Sequence, residues 1–192
     1  MNIPQKWINI FGLIIISILV IDVSILTIKN KRLEERLLNS SPIAQIDPLT
    51  PGESVFGFKI KTLDGTEQTF NYDDPEATYL LLIFSTTCPH CLATIEKWRK
   101  ITEKIDENCY IVGVSIHDVP MTTSYIIEKN IPFYTVTVSD KDFQQNYKIG
   151  GVPSTILIAN GGKVSKVWSG RLDDDDVEDV IRTENHIKST LH

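Results

Sequence analysis

Cysteine is scarce in this sequence, with three in 192 residues, at positions 88, 91 and 109. That excludes a small secreted scaffold stapled by several disulfides. It also leaves too few ligands for a structural zinc site, since His90, His117, His186 and His192 stand at no ligand spacing. No metal or cofactor is expected. Basic runs are missing as well: Lys and Arg number 19 against 25 Asp and Glu, for a net charge of −6. A chain that follows a phosphate backbone needs clustered cations, so nucleic acid is not an expected partner. There is no internal repeat. The acidic run Asp173 to Asp176 reads as the cap of a last helix rather than a calcium site. Hydrophobic residues at 42% and charged residues at 23% are enough to bury one core.

What is present begins with an apolar N-terminal stretch, Trp7 to Ile28, broken by Asp22. Its length approaches the ~20 residues of a bilayer-spanning helix, and Asp22 belongs near one interface. No small-x-small cleavage site follows, as a signal peptide would need, and no cysteine follows the run, as a lipoprotein would need. Residues 1–6 are then a short tail and 7–28 a membrane anchor. Residues 29–52 form a juxtamembrane helix and a proline-bearing linker, and 53–192 one globular domain. Lys29, Lys31 and Arg32 outnumber Lys6. Taken alone, that bias keeps the domain on the cytoplasmic side.

Within the domain, Gly57–Lys61 and Glu67–Phe70 alternate like strands around an Asp64-Gly65 turn. Thr78–Phe84 is a continuous apolar run of strand length. Pro89–Ile105 follows as a helix with Leu92, Ile95, Trp98, Ile101 and Ile105 on one face. A strand over 110–116, a helix over 120–130, a strand over 133–138 and a short helix over 140–147 come next. A hairpin of 154–159 with 163–168 and a last helix from Asp173 close the chain. Strands alternating with helices predict an α/β fold with a mixed sheet.

The chemistry lies in Cys88-Pro89-His90-Cys91, placed where a buried strand runs into a helix. Positions i and i+3 of a first helical turn face one side, so the two sulfurs can meet. Free N–H groups and the positive end of the helix dipole favour a thiolate at Cys88. Pro89 suits a first helical position, and His90 adds positive charge when protonated. The expected cycle is thiol–disulfide exchange, with Cys88 as nucleophile and Cys91 as resolving thiol. Cys109, at the head of a core strand, reads as a small buried hydrophobe. Pro153 reads as a turn proline, trans or cis.

These residues resemble the thioredoxin superfamily, and within it the TlpA/ResA-like membrane-anchored thiol–disulfide oxidoreductases (redoxin, or AhpC/TSA-like, domains). The hairpin around Leu63-Asp64-Gly65, the strand into Cys88-Pro-His-Cys91, Gly151-Val152-Pro153-Ser154 and the closing hairpin Ile156 to Val164 carry the likeness. The resemblance implies a thioredoxin fold with a cis Pro153 facing the dithiol and a Val152 backbone that pairs with an extended client segment. It implies protein thiol or disulfide clients and a membrane thiol transporter or oxidase as redox partner. It also implies a single-pass protein of the cell membrane with its domain outside the cytoplasm. Thr87 replaces the family's tryptophan before the first cysteine, and Leu82 its buried acid. Thr94 stands where many members have an acid, leaving Glu96 and water as candidate proton acceptors for Cys91. The Cys-Pro-His-Cys tetrapeptide is like that of DsbA oxidases, but the stretch from Cys91 to Pro153 is too short for their helical insertion.

Two other readings share this fold. A peroxiredoxin-like peroxidase would carry proline and threonine where Leu81 and Ser85 stand. A Sco-like copper-delivery protein would space its cysteines by one residue more. Reductase and oxidase directions both remain open.

Overall fold

The computed structural model describes residues 15–29, 31, 47–138, 141–159 and 161–191. The chain divides into two compact units, residues 1–45 and 46–192. In the first, residues 15–29 form helix α1, with apolar side chains exposed all round. Ser24 and Thr27 return their hydroxyls to the carbonyls of Val20 and Val23 (2.7 and 2.8 Å). Among the described residues no helix is long and apolar enough to cross a membrane. Residues 7–14 of the expected anchor, and most of the expected juxtamembrane segment, lie outside the described residues.

The second unit is built on a seven-stranded sheet in the order β2-β1-β5-β4-β3-β6-β7. Its elements are β1 (Phe58–Lys61), β2 (Glu67–Phe70), β3 (Thr78–Phe84), α2 (Pro89–Lys104), β4 (Cys109–Ser115) and α3 (Val119–Lys129). β5 (Thr135–Thr137), α4 (Lys141–Asn146), β6 (Ser154–Ala159), β7 (Lys163–Ser169) and α5 (Asp174–Leu191) complete it. β3 runs parallel to β4, and β4 to β5, whereas β6 and β7 are antiparallel additions on the other side.

The apolar run of β3 is buried along its whole length because both faces of the sheet are covered. Its two-residue period sorts the side chains. Tyr79, Leu81 and Ile83 enter one core with Phe58, Phe143 of α4 and Tyr147. Leu80, Leu82 and Phe84 enter the other with Ile95, Trp98 and Ile101 of α2 and Val177 and Val180 of α5.

Helix boundaries follow local chemistry. Asp118 caps α3 by accepting the Met121 N–H at 3.0 Å, and Asn130 ends it in the left-handed region (φ 47°). Asp173 and Asp176 cap α5 reciprocally, each accepting the other's N–H (2.9 and 3.0 Å).

Two expectations need correction. Leu92 is 45% exposed and fully buried Thr94 takes the inward place, because at ~100° per residue Leu92 lies well off the face shared by Cys91, Thr94, Ile95, Trp98 and Ile101. Residues before Glu53 also pack on the domain. Leu49 is buried in the core, and the Gly52 N–H donates to the Val164 carbonyl at 2.8 Å. The domain therefore takes in part of the segment read as linker.

Candidate functional site

β3 delivers the chain to the site at Phe84, and the turn Ser85–Thr87 carries it into α2. Cys88 is the N-cap of that helix, in extended backbone (φ −88°, ψ 116°), with Pro89 in the first turn. Its sulfur takes the place of the usual capping oxygen and accepts the Cys91 N–H at 3.3 Å. Both cysteines are free. Cys88 is half-buried and Cys91 fully buried, so only the first is open to a large partner. Burial pushes the Cys91 thiol up to about 12, against a lowering contribution from the Ser85 backbone.

The facing loop comes from the other half of the domain. The Val152–Pro153 peptide bond is cis. The Cys88 thiol donates to the Val152 carbonyl at 3.5 Å. The Pro153 carbonyl accepts the Gly170 N–H (2.8 Å), which ties the loop to the end of β7. Two residues into β6, Thr155 accepts the Trp98 indole N–H at 2.9 Å, which fastens α2 to the strand that carries the loop. A cleft of about 330 Å³ opens beside the loop, lined among others by Leu49, Tyr147, Gly151, Val152 and Pro153. A Cβ built on Gly150 or Gly151 would meet nothing within 4 Å, so the loop backbone is approachable there.

The remaining expected residues are placed as follows. The His90 side chain is exposed, and its carbonyl accepts the Thr94 hydroxyl at 2.9 Å. Glu96 is exposed and pairs with Arg99 at 3.6 Å on the outer face of α2. Five residues along a helix turn it well away from Cys91, so it is no proton acceptor for that buried thiol. Cys109 is buried at the opposite end of the parallel strands, and burial pushes its thiol up to about 12.

Sequence reasoning passed over two residues. His117, read there as a loop histidine, bonds through Nδ1 to the Thr86 hydroxyl and so links the end of β4 to the turn before Cys88. Tyr125 of α3 is buried in the same side-chain cluster as Cys91. The three-residue spacing of Thr122 and Tyr125, the buried face of α3, was the available signal. The positions of the peroxidase reading, Leu81 and Ser85, are a core leucine and a serine bonded to Thr87 (3.1 Å). Among the described residues no three His, Cys, Asp or Glu side chains gather as metal ligands.

Residues 76–164 match the model of the thioredoxin-like family. No curated protein sequence matches the chain. Solved structures that resemble it include StoA from Bacillus subtilis, at 17% identity, TM-score 0.55, covering 71% of this chain and 98% of that one. The thioredoxin domain of a thiol-disulfide oxidoreductase from Bacteroides vulgatus matches at 20% identity and TM-score 0.55, over 75% and 99%. A peroxiredoxin-like protein from Aquifex aeolicus matches at 16% identity and TM-score 0.58, over 71% and 88%. At these identities the likeness is one of fold. Residues 76–164 thus match a thioredoxin-like family model, and the domain that contains them has a thioredoxin-like fold.

Proposed function

We propose that the chain is a membrane-anchored enzyme that exchanges disulfides with protein clients through the Cys88–Cys91 dithiol. One observation carries this reading. The half-buried Cys88 sulfur sits at the N-cap of α2, receives the Cys91 N–H, and lies 3.5 Å from the Val152 carbonyl beside a cis proline. A client disulfide at this point meets a sulfur held by a backbone donor and a loop able to pair with extended backbone. Cys88 attacks and forms a mixed disulfide. Cys91, behind it, attacks Cys88 and releases the client thiol. Run backwards, the same steps deliver a disulfide. His90 stands at the mouth of the site and biases the pair toward the thiolate form when protonated.

The exposed isoleucine, leucine and valine side chains that α1 carries around its circumference, interrupted by Asp22, support anchoring, since so much exposed apolar surface calls for a non-aqueous surrounding. The domain faces the outside of the cell membrane in this reading, and a membrane thiol transporter or oxidase resets the dithiol. Equilibrating the full chain with glutathione buffers tests the exchange and its direction. A single two-electron transition that disappears in Cys88→Ala is expected. A chain whose Cys88 and Cys91 never form a disulfide overturns the reading. A membrane-impermeant maleimide applied to intact cells tests the topology: labelling of Cys88 only after lysis places the domain inside.

A further inference from the structure

A buried thiol whose ordinary state is neutral is a poor nucleophile. Cys91 must nevertheless become a thiolate to attack Cys88, so some group has to favour its charge. The side chains along α2 do not. The Thr94 hydroxyl is committed to the His90 carbonyl, and Glu96 lies on the outer face.

The neighbouring helix supplies what α2 lacks. α3 turns Thr122 and Tyr125 inward. Thr122 is pinned to Ser115, at the end of β4, by a hydroxyl–hydroxyl bond of 2.7 Å. Ser115 pairs in register with Phe84, the last residue of β3 before the redox turn. One helical turn further on, the Tyr125 ring lies stacked on the Phe84 ring, with centroids 5.9 Å apart and planes 27° apart. The ring is thereby brought into the side-chain cluster that contains Cys91, with Cys88 packed at its border. Its hydroxyl oxygen is closed off from solvent and has no hydrogen-bond partner among the described residues. A buried hydroxyl normally has a partner, so one without it in the cluster that holds Cys91 calls for an explanation.

We infer that the Tyr125 hydroxyl is a hydrogen-bond donor to the Cys91 thiolate during the resolving step. The inference rests on the exchange reading proposed above. Burial raises the phenol above its ordinary value, and charge on Cys91, Cys88 and the exposed Glu128, in that order, raises it further. The phenol therefore keeps its proton at neutral pH and acts as donor, not base. In the step, the Cys91 proton passes to water and the Cys91 sulfur bonds to the Cys88 sulfur. The bond between Cys88 and the client sulfur breaks, and the client leaves as a thiolate that regains a proton from water. Tyr125 keeps its own proton throughout and acts by stabilising the charge on the Cys91 sulfur.

The test is stopped-flow reaction of the reduced full chain with an aromatic disulfide reagent that releases a coloured thiolate. The first release reports attack by Cys88 and the second reports resolution by Cys91. Tyr125→Phe keeps the ring on Phe84 and removes only the hydroxyl. A bond to a charged group is worth about one to two pKa units. Resolution in Tyr125→Phe is therefore expected to slow by about tenfold or more at pH 7, and its pH profile to move up by about one unit, with the first release little changed. Thiolate absorbance of Cys91 in a Cys88→Ala background, with and without Tyr125→Phe, should show the same shift. Unchanged resolution and an unchanged profile overturn the inference. So does equal slowing of both releases with no shift in pH, which is the mark of altered packing alone. If the wild-type chain gives no second release, the exchange reading itself falls. If it does and Tyr125→Phe matches it, only the role of the tyrosine falls.

Discussion

Thr155→Val perturbs the one described hydrogen bond between the dithiol helix and β6, and its cost follows from the geometry. Thr155 and Trp98 are both fully buried, and the indole N–H reaches the threonine oxygen at 2.9 Å. Valine matches threonine in shape but offers no acceptor. The indole nitrogen is a donor only, so it is left in an apolar core without a partner. Orphaning a buried donor costs about 1–3 kcal/mol. For a domain of this size each kcal/mol lowers Tm by about 2–4 °C. With a urea slope of about 1–3 kcal/mol per molar, the midpoint should fall by roughly 1 M with the slope unchanged. Trp98→Phe loses the donor together with packing volume, and the double mutant separates the two. Once the donor is gone, Thr155→Val should cost much less than it does in the wild type. Equal midpoints for wild type and Thr155→Val, or strictly additive losses in the double mutant, would refute the reasoning.

Three further outcomes follow from the same coordinates. Iodoacetamide at neutral pH should label Cys88 first, because Cys91 and Cys109 are buried and burial pushes each thiol up to about 12; peptide mass spectrometry showing Cys109 labelled as fast as Cys88 would contradict this. The Glu53 carboxyl is held down to about 2 by the Lys148 side chain and then by Thr50. Its folded value lies below the free one, so its stabilising share is present above about 4.5 and is lost as pH falls toward 2; acid titration of Glu53→Gln should lack that component. Gly113→Ala places a Cβ 2.7 Å from the Thr135 hydroxyl and 2.8 Å from the Phe133 ring; calorimetry should show a loss of about 1–3 kcal/mol from overpacking.

The fold was legible where the pattern is local. The run from Thr78 to Phe84 is buried at every position and apolar from Leu80 onward because the strand has a covered face on each side, and its place inside the sheet agrees with that. The hairpins at Asp64-Gly65 and Gly161-Gly162 announce themselves through positive φ angles that glycine accepts most readily. Leu92 misled because a three-residue spacing to Ile95 was read as one face, whereas the face that is buried centres on Thr94, Trp98 and Ile101 and leaves Leu92 outside it. Leu49 was hidden in a proline-bearing stretch of mixed polarity, and only the groove it fills gives it a core role. Glu184 was invisible for a similar reason. A fully buried carboxylate is an unlikely reading of any helix, yet here it is held by Thr78 (3.1 Å) and Lys188 (3.2 Å).

The site divides along the same line. Cys88 and Cys91 are three residues apart, so their meeting is a property of one helical turn and needs no tertiary information. Pro153 lies 62 residues beyond Cys91 in sequence, and its approach to Cys88 was expected through resemblance rather than through spacing. Tyr125 has neither support. Its burial depends on Thr122 docking to Ser115, its ring on Phe84, and its lack of a partner among the described residues on what surrounds the hydroxyl. Each of those is a fact about two segments at once. The positions where sequence pattern offers no acid, Leu82 and Thr94, nevertheless carried information. They left a buried thiol with a backbone contribution from Ser85 but no local acidic side chain, and the nearest spare polar group is on the adjacent helix.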